Sequence, residues 1–237
     1  MSDHPGKQLI QVFTPAETAS LTAYAADAVG LARTWARQIA ALDTGGLLTG
    51  FRAIDIEQIV LSAPTGVTAA GVQGGGATIA AGSHNESLVW LTGGPIIANP
   101  RTDPFAVAFR AAFQTPEAAG EYRLGFVGLG VPAAGKNVVA LGENYTHGGS
   151  QTNMCLLSNL GVTTWGVTTS APVDHNVLHD WLIFSNGVTM TAYRDGVAIL
   201  TLTDLSGITT SPCHFVARGN LGHAPIVTDA CLAFART

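Results

Sequence analysis

The stretch WLIFSNGVTMTAYRDGVAIL, residues 181–200, decides the fold. Apolar and polar residues alternate through its middle, which is typical of a β-strand with one buried face. Asn186-Gly187 and Asp195-Gly196 interrupt the apolar runs, and such dipeptides favour tight turns because they tolerate positive φ. The stretch therefore predicts antiparallel strands joined by two turns.

The chain from Phe51 onward continues this pattern. Short apolar runs are separated by Gly, Pro, Asn or Asp clusters, which indicates a β-sandwich or barrel rather than alternating βαβ units. Residues 62–87 are rich in Gly and Ala and are predicted to form a long loop or an irregular excursion. The predicted strands are Ala53–Leu61, Leu88–Leu91, Phe105–Phe113, Tyr122–Leu129, Asn137–Leu141, Met154–Leu157, Val162–Thr168, Trp181–Phe184, Thr189–Arg194, Ala198–Thr203 and His214–Ala217.

One helix is predicted, over residues 14–42. Thr14, Pro15 and Glu17 supply an N-cap, a proline at the first helical position and a capping-box glutamate. The helix either packs on its own domain or associates with copies of itself, and residues 1–50 are predicted to be an oligomerisation or docking arm ahead of a sandwich over residues 51–237. Apolar residues at heptad-like spacing mark the predicted oligomerisation face: Leu21, Tyr24, Leu31, Trp35 and Leu42.

The composition is unusually poor in charge. Among 237 residues only 11% are charged, whereas about a quarter is usual, and 47% are hydrophobic. We therefore expect a homo-oligomer, with a trimer favoured, in which neighbouring subunits cover apolar surface. A net charge of −5 argues against a nucleic-acid surface, because phosphate binding needs clustered Lys and Arg.

Targeting and redox signals are weak. No apolar run reaches membrane-spanning length and the N-terminus lacks the apolar core of a signal peptide, so we expect no membrane insertion and no export. Cys155, Cys213 and Cys231 form no CxxC motif and are predicted to be buried thiols in a reducing compartment.

Four segments together resemble a known family. They are DPFAVAFRAAF (103–113), EYRLGFVGLG (121–130), NVVALGEN (137–144) and the opening stretch, and they resemble the concanavalin A-like lectin/glucanase jelly roll, which includes laminin-G-type modules. The resemblance covers roughly residues 88–235. It implies a mainly β, antiparallel sandwich with the N-terminal helix outside it. This fold hosts lectins, glycosidases, adhesion modules and virion proteins, so it does not by itself define the activity.

The glucanases of that superfamily carry a Glu-x-Asp-x-Glu strand whose outer glutamates act as nucleophile and acid/base. The closest match is AIDIEQ, in which Asp55 and Glu57 occupy the last two acidic positions and Ala53 replaces the nucleophile. Because double displacement cannot start without that carboxylate, we expect no enzymatic activity.

Two other motifs are predicted to carry no cofactor. GVPAAGKN (130–137) approaches a phosphate-binding P-loop but lacks the hydroxyl residue and the following helix, so it is predicted to connect a hairpin. HNVLH (175–179) offers two histidines without a third metal ligand. Asp174, Asp180 and Asp195 are candidate Ca²⁺ ligands, but they are scattered in the sequence, and we expect no metal.

A polar loop, GENYTHGGSQTN (142–153), is the best candidate for binding. Amide and aromatic side chains suit the hydroxyls and the apolar faces of sugars, although a plain surface loop or a subunit contact is the simpler interpretation. RGNLGHAP (218–225) is a second loop of this kind. The candidate binding residues are Asn144, Tyr145, His147, Gln151 and Asn153.

Three functions follow from these observations. The first is a non-enzymatic bacteriophage virion protein (a capsid decoration, fibre or tail appendage) that is made in the host cytoplasm, resides in the virion and contacts a capsid or tail protein. The alternative is a carbohydrate-binding lectin module that recognises glycans such as those of a cell surface. The third is a glycoside hydrolase or lyase of the same fold.

Overall fold

A computed structural model of the 237-residue chain shows a two-sheet β-sandwich with one helix. It contains a helix over residues 33–42 (α1) and fifteen strands within the described part of the chain. The described residues are 33–46, 48, 50–53, 59–62, 67–71, 77–81, 87–91, 95–113, 126–130, 138–143, 153–157, 167–172, 174, 177–219 and 225–235. The strands are β1 Gly50–Ala53, β2 Ile59–Ser62, β3 Val67–Gly71, β4 Ala77–Ala81, β5 Ser87–Leu91, β6 Phe105–Phe113, β7 Phe126–Gly130, β8 Val138–Glu143, β9 Asn153–Leu157, β10 Val167–Pro172, β11 His179–Ser185, β12 Met190–Arg194, β13 Val197–Leu202, β14 His214–Gly219 and β15 Pro225–Ala235.

The described strands pair with one another in antiparallel fashion throughout. Sheet A has the order β13-β12-β11-β6-β15-β4-β3, with β1 also paired to β15, and sheet B has the order β10-β9-β8-β7-β14-β5-β2. One apolar core joins the sheets, because Phe109 and Trp181 of sheet A belong to the same buried cluster as Leu129 and Phe215 of sheet B. The predicted mainly β, antiparallel sandwich with a helix is confirmed.

The central strand β6 is buried on both faces, which explains its uninterrupted apolar sequence. Phe105, Phe109 and the alternate residues between and beyond them enter the core between the sheets. The intervening Ala106 and Ala108 face the other side, where α1 lies across the sheet. Small side chains at these positions allow a helix to approach the strand closely, so FAVAFRAAF is suited to two different neighbours.

The helix packs against its own domain. Trp35 and Ile39 are only 2% and 3% exposed, and they join the cluster formed by Ala106, Ala108 and residues of β11. Leu42 packs against the edge of this cluster. Thus two of the five residues on the predicted oligomerisation face, Trp35 and Leu42, pack against their own chain. This agrees with the alternative prediction, in which the helix packs on its own domain.

The other three residues of that face, Leu21, Tyr24 and Leu31, lie outside the described residues, so self-association of the helix stays a prediction. The C-terminal end of the helix is confirmed at residue 42. The Asp43 amide donates the last helical bond to the Ile39 carbonyl at 2.8 Å, and the Asp43 carboxylate accepts a bond from the Leu48 amide.

The opening stretch forms three strands, as predicted. Trp181 lies opposite Arg194 in β11–β12, and Met190 lies opposite Leu202 in β12–β13. The P-loop-like segment likewise connects a hairpin, because Gly130 at the end of β7 lies opposite Val138 at the start of β8. Both predictions of hairpins are confirmed.

Two predictions about strands were wrong. Residues 62–87 contain the hairpin β3–β4, which pairs through small Ala, Thr and Gly residues whose apolar pattern is too weak to mark a strand. The C-terminal β15, absent from the predicted strands, pairs along most of β6. Its register shifts between Val227 and Cys231, and this irregularity breaks the period-two pattern by which a strand is recognised.

Cys213 is a buried free thiol, as predicted, and burial raises its pKa to about 12. Cys155 and Cys231 lie in β9 and β15, but their side chains are outside the described set. Across the described residues, no helix combines the length and apolar character needed to cross a membrane.

Candidate functional site

Both polar loops singled out from the sequence are anchored at the same end of the sandwich. β8 ends at Glu143 and β9 begins at Asn153, so these residues bound the first loop. Asn153 lies opposite Pro172, the last residue of β10. The chain then crosses to sheet A, where His179 at the start of β11 lies opposite Ala111.

The second loop connects the same ends of the two sheets. Gly219 ends β14 in sheet B, and Pro225 begins β15 in sheet A opposite Phe113. The Asp195-Gly196 turn also lies here, because the residue before it, Arg194, is opposite Trp181 near the start of β11. We call this the Asp195 end, defined by Asn153, Phe113, His179, Asp195 and Pro225.

A charged network built around His179 occupies this end. His179 Nδ1 lies 2.6 Å from Asp195 Oδ2, and its Nε2 lies 3.4 Å from Asp174 Oδ2. A guanidinium nitrogen of Arg194 lies 3.3 Å from the same Asp174 oxygen. The His179 ring is 13% exposed and packs edge to face on Trp181, with ring centroids 5.6 Å apart. The two carboxylates are about half exposed, so the network presents hydrogen-bond acceptors to solvent.

The Asp195 side chain is held by backbone as well as by the histidine. Its Oδ1 accepts a bond from the Asp180 amide at 2.9 Å, while its own amide donates to the Asp180 carbonyl at 2.8 Å. Asp195 has φ of 50° and Gly196 has φ of 81°, the left-handed pair of a tight hairpin turn, and Asp tolerates this region better than most residues. The position of the carboxylate is therefore set by the turn.

Asp180 is occupied by a partner on the neighbouring strand. Arg110 lies directly opposite it in β6 and donates two hydrogen bonds to its carboxylate, at 2.7 and 3.3 Å. A guanidinium and a carboxylate joined by two bonds form one of the stronger charge-assisted pairs. Arg110 is also the one position of β6 that is not buried. The pair therefore lies on the outer face of sheet A, next to Ala106 and Ala108, which pack against α1.

Exposed apolar side chains border the network. Val177 and Leu178, immediately before His179, are 48% and 51% exposed, and Val197, immediately after the turn, is 66% exposed. Half-exposed acceptors beside exposed apolar groups can receive a ligand that has both hydroxyls and apolar faces.

Residues that are far apart in the sequence meet in this region. Asp174 and Asp195 both contact His179, and Asp180 exchanges backbone hydrogen bonds with Asp195. No group of His, Cys, Asp or Glu suited to holding a metal occurs in the described part of the chain. The Asp195–His179 part of the network could have been found by counting the register of the hairpin back from its two turns, which sets Asp195 beside the start of β11.

Most of the predicted site residues are not covered by the structure. Asn153 begins β9 at the Asp195 end, and its side chain lies outside the described set. Asp55 and Glu57 of the glucanase-like motif lie entirely outside the described residues. The remaining predicted binding residues outside the described set are Asn144, Tyr145, His147 and Gln151.

Known structures share this architecture. Lectin II from Ulex europaeus aligns with 79% of this chain and 98% of its own, with a TM-score of 0.54 and 13% identity. The carbohydrate recognition domain of Emp47p aligns with 82% and 99%, with a TM-score of 0.52 and 8% identity. The chain has the concanavalin A-like lectin fold. Crh5 transglycosylase in complex with NAG is also similar, with a TM-score of 0.51, 14% identity and coverage of 81% and 86%.

No family model and no curated protein sequence matches the chain. The lectin fold agrees with the family resemblance found in the sequence. The fold is compatible with both the lectin alternative and the virion role, and each stays a prediction.

Proposed function

We propose that this chain is a carbohydrate-binding protein and that the Asp195 end of its lectin fold is the binding surface. The observation that carries the proposal is the convergence of polar segments at this end. Glu143 and Asn153 anchor the first predicted loop there, Gly219 and Pro225 anchor the second, and the network around His179 lies beside them.

The chemistry of the described residues suits a sugar. Carboxylates of Asp174 and Asp195 accept hydrogen bonds from hydroxyls, and both are already fixed by neighbours, so binding would cost little side-chain entropy. Val177, Leu178 and Val197 supply apolar contact for the carbon-bound hydrogens of a pyranose ring. Arg110 and Arg194 are engaged with carboxylates, which favours neutral over acidic glycans.

The proposed activity is binding without cleavage. Ala53, at the end of β1, stands where the glucanase motif has its nucleophilic glutamate, so the double-displacement reaction of that motif lacks its first group. Incubation of a bound, fluorescently labelled oligosaccharide with the protein should yield no shorter product by chromatography. Appearance of such a product would overturn this part of the proposal.

A glycan array tests the function. The native chain should bind at least one neutral glycan, and Tyr145→Ala, His147→Ala or Leu178→Ser should weaken that binding. Val188→Ser is the matched control, because Val188 is 71% exposed at the other turn of the hairpin. Absence of binding to every glycan would refute the function, whereas equal loss in the control would refute the surface.

A further inference from the structure

We propose that His179 is a pH-sensitive contact that holds Asp174 to the Asp195 turn when its ring is protonated, and that Val177 and Leu178 loosen when the ring is neutral. This inference concerns a conformational device and does not rest on glycan binding. It follows from the two carboxylates that face the two nitrogens of one imidazole.

The two nitrogens have different surroundings. Nδ1 lies 2.6 Å from Asp195, a carboxylate that the Asp180 amide also fixes. Nε2 is sealed from solvent and has no hydrogen-bond partner among the described residues, although Asp174 Oδ2 lies 3.4 Å away. Nδ1 of His179 is therefore bound to the Asp195 turn, and Nε2 faces Asp174.

The proton count of the ring decides what Nε2 can do. A neutral imidazole carries one N–H, and the short contact with Asp195 places it on Nδ1. Nε2 then directs a lone pair at the carboxylate of Asp174, so two acceptors face each other without a proton between them. The imidazolium carries a second N–H, which Nε2 donates toward Asp174. Protonation thus converts a repulsive contact into a charge-assisted hydrogen bond.

The charged groups around the ring allow such a change. Asp174 approaches from the segment before β11, Asp195 from the β12–β13 turn and Arg194 from the end of β12, while Trp181 covers one side of the ring. Arg194 also contacts Asp174 at 3.3 Å and is charged at every pH considered, so loss of the His179 contact should loosen the neighbouring Val177 and Leu178 rather than free Asp174. Histidine is the side chain that changes charge between about pH 5 and pH 8.

Limited digestion with proteinase K at the Leu178 peptide bond, with rates divided by those of an unstructured peptide of the same sequence, tests the device in the full chain. In the native protein the protection of this bond should be about tenfold greater near pH 5.5 than near pH 8. His179→Gln has no ionisable ring, so its protection should be the same at both pH values. His214→Gln, in β14 of the other sheet, is the matched control and should keep the native pH dependence.

Asp174→Asn provides a second and opposite test at an exposed position. Its amide can donate to neutral Nε2 and its oxygen can accept from protonated Nε2, so the segment should stay protected at both pH values. This result requires contact with the histidine and would not follow if Asp174 acted only through Arg194. Native protection that is independent of pH, pH dependence that persists in His179→Gln, or native behaviour of Asp174→Asn would each overturn the proposal.

Discussion

The two glycine turns of the β11–β13 hairpins look alike in sequence but differ in their surroundings. At Asn186-Gly187, the Asn186 Oδ1 accepts bonds from the amides of Val188 and Thr189 at 2.9 and 2.7 Å. At Asp195-Gly196, the side chain instead reaches across to His179 and to the Asp180 amide. The Asn186 side chain thus bonds within its own turn, whereas the Asp195 side chain bonds to the start of β11.

The two turns also differ in how closely neighbouring residues pack against their glycines. Gly187 packs against the Thr102 backbone so closely that a Cβ would collide with its carbonyl oxygen. The loop that contains Thr102 is itself fastened, because Arg101 donates to the Ile208 carbonyl and the Asn99 amide donates to Asp103. We call this the Asn186 end, defined by Asn99–Asp103, Asn186 and Gly187. A Cβ on Gly196 would meet no atom of the described residues within 4 Å. The comparison shows a turn packed against a neighbouring loop at the Asn186 end, the packed end, and a turn with space beside it, as far as the described residues go, at the Asp195 end, the open end.

The largest expected difference concerns the two glycines. Gly187→Ala should destabilise the fold by about 2–5 kcal/mol, because strain at φ of 84° adds to the collision with Thr102. Gly196→Ala has the strain of φ of 81° but no collision, so it should cost about 1–2 kcal/mol. Urea denaturation measures both. Equal losses would show that the two ends are packed alike.

A smaller difference is expected when amide and carboxylate are exchanged at the turns. Asn186→Asp keeps the oxygen that accepts both backbone bonds, so the free energy of unfolding should change by less than about 0.5 kcal/mol. Asn186→Ala loses both bonds and should cost about 1–2 kcal/mol. Asp195→Asn removes the charge opposite His179 and should cost about 0.5–1 kcal/mol at low salt near pH 6 and less at high salt.

Urea denaturation at two salt concentrations measures the changes in the free energy of unfolding of these three variants. A salt-dependent loss in Asn186→Asp would show that charge matters at the packed end. A loss in Asp195→Asn, relative to the native chain, that is the same at both salt concentrations would remove the electrostatic role assigned to Asp195.

The smallest expected effect concerns the thiol of Cys213, in the core next to the packed end, which should not react with an alkylating reagent. Cys213 is fully buried and exchanges backbone hydrogen bonds with Ile97. Because burial raises the pKa of its thiol to about 12, the thiol stays protonated from pH 7 to pH 9 and gains thiolate only as pH approaches that value. Mass spectrometry of the Cys213 peptide should show negligible alkylation by iodoacetamide at pH 8 until urea is added. Rapid labelling of the native chain would contradict the packed core.

The sequence predicted the fold where side chains alternate strongly. Residues 181–200 were placed as strands with the correct turns, because Asn-Gly and Asp-Gly are local signals. It failed at β3–β4, where small residues give little apolar contrast, and at β15, where an irregular register disrupts the period. The contact between His179 and Asp174 depends on how a segment crosses between sheets, and no local pattern encodes that geometry.

The affinity for the glycan selected on the array tests the central claim, that the Asp195 end binds and the Asn186 end does not. Titration calorimetry should compare the native chain with the double variant Tyr145→Ala/Leu178→Ser and with Val188→Ser. The account predicts that the double variant binds about tenfold or more weakly, a loss of about 1.4 kcal/mol, while Val188→Ser binds like the native chain. Native affinity in the double variant, or an equal loss in Val188→Ser, would contradict it.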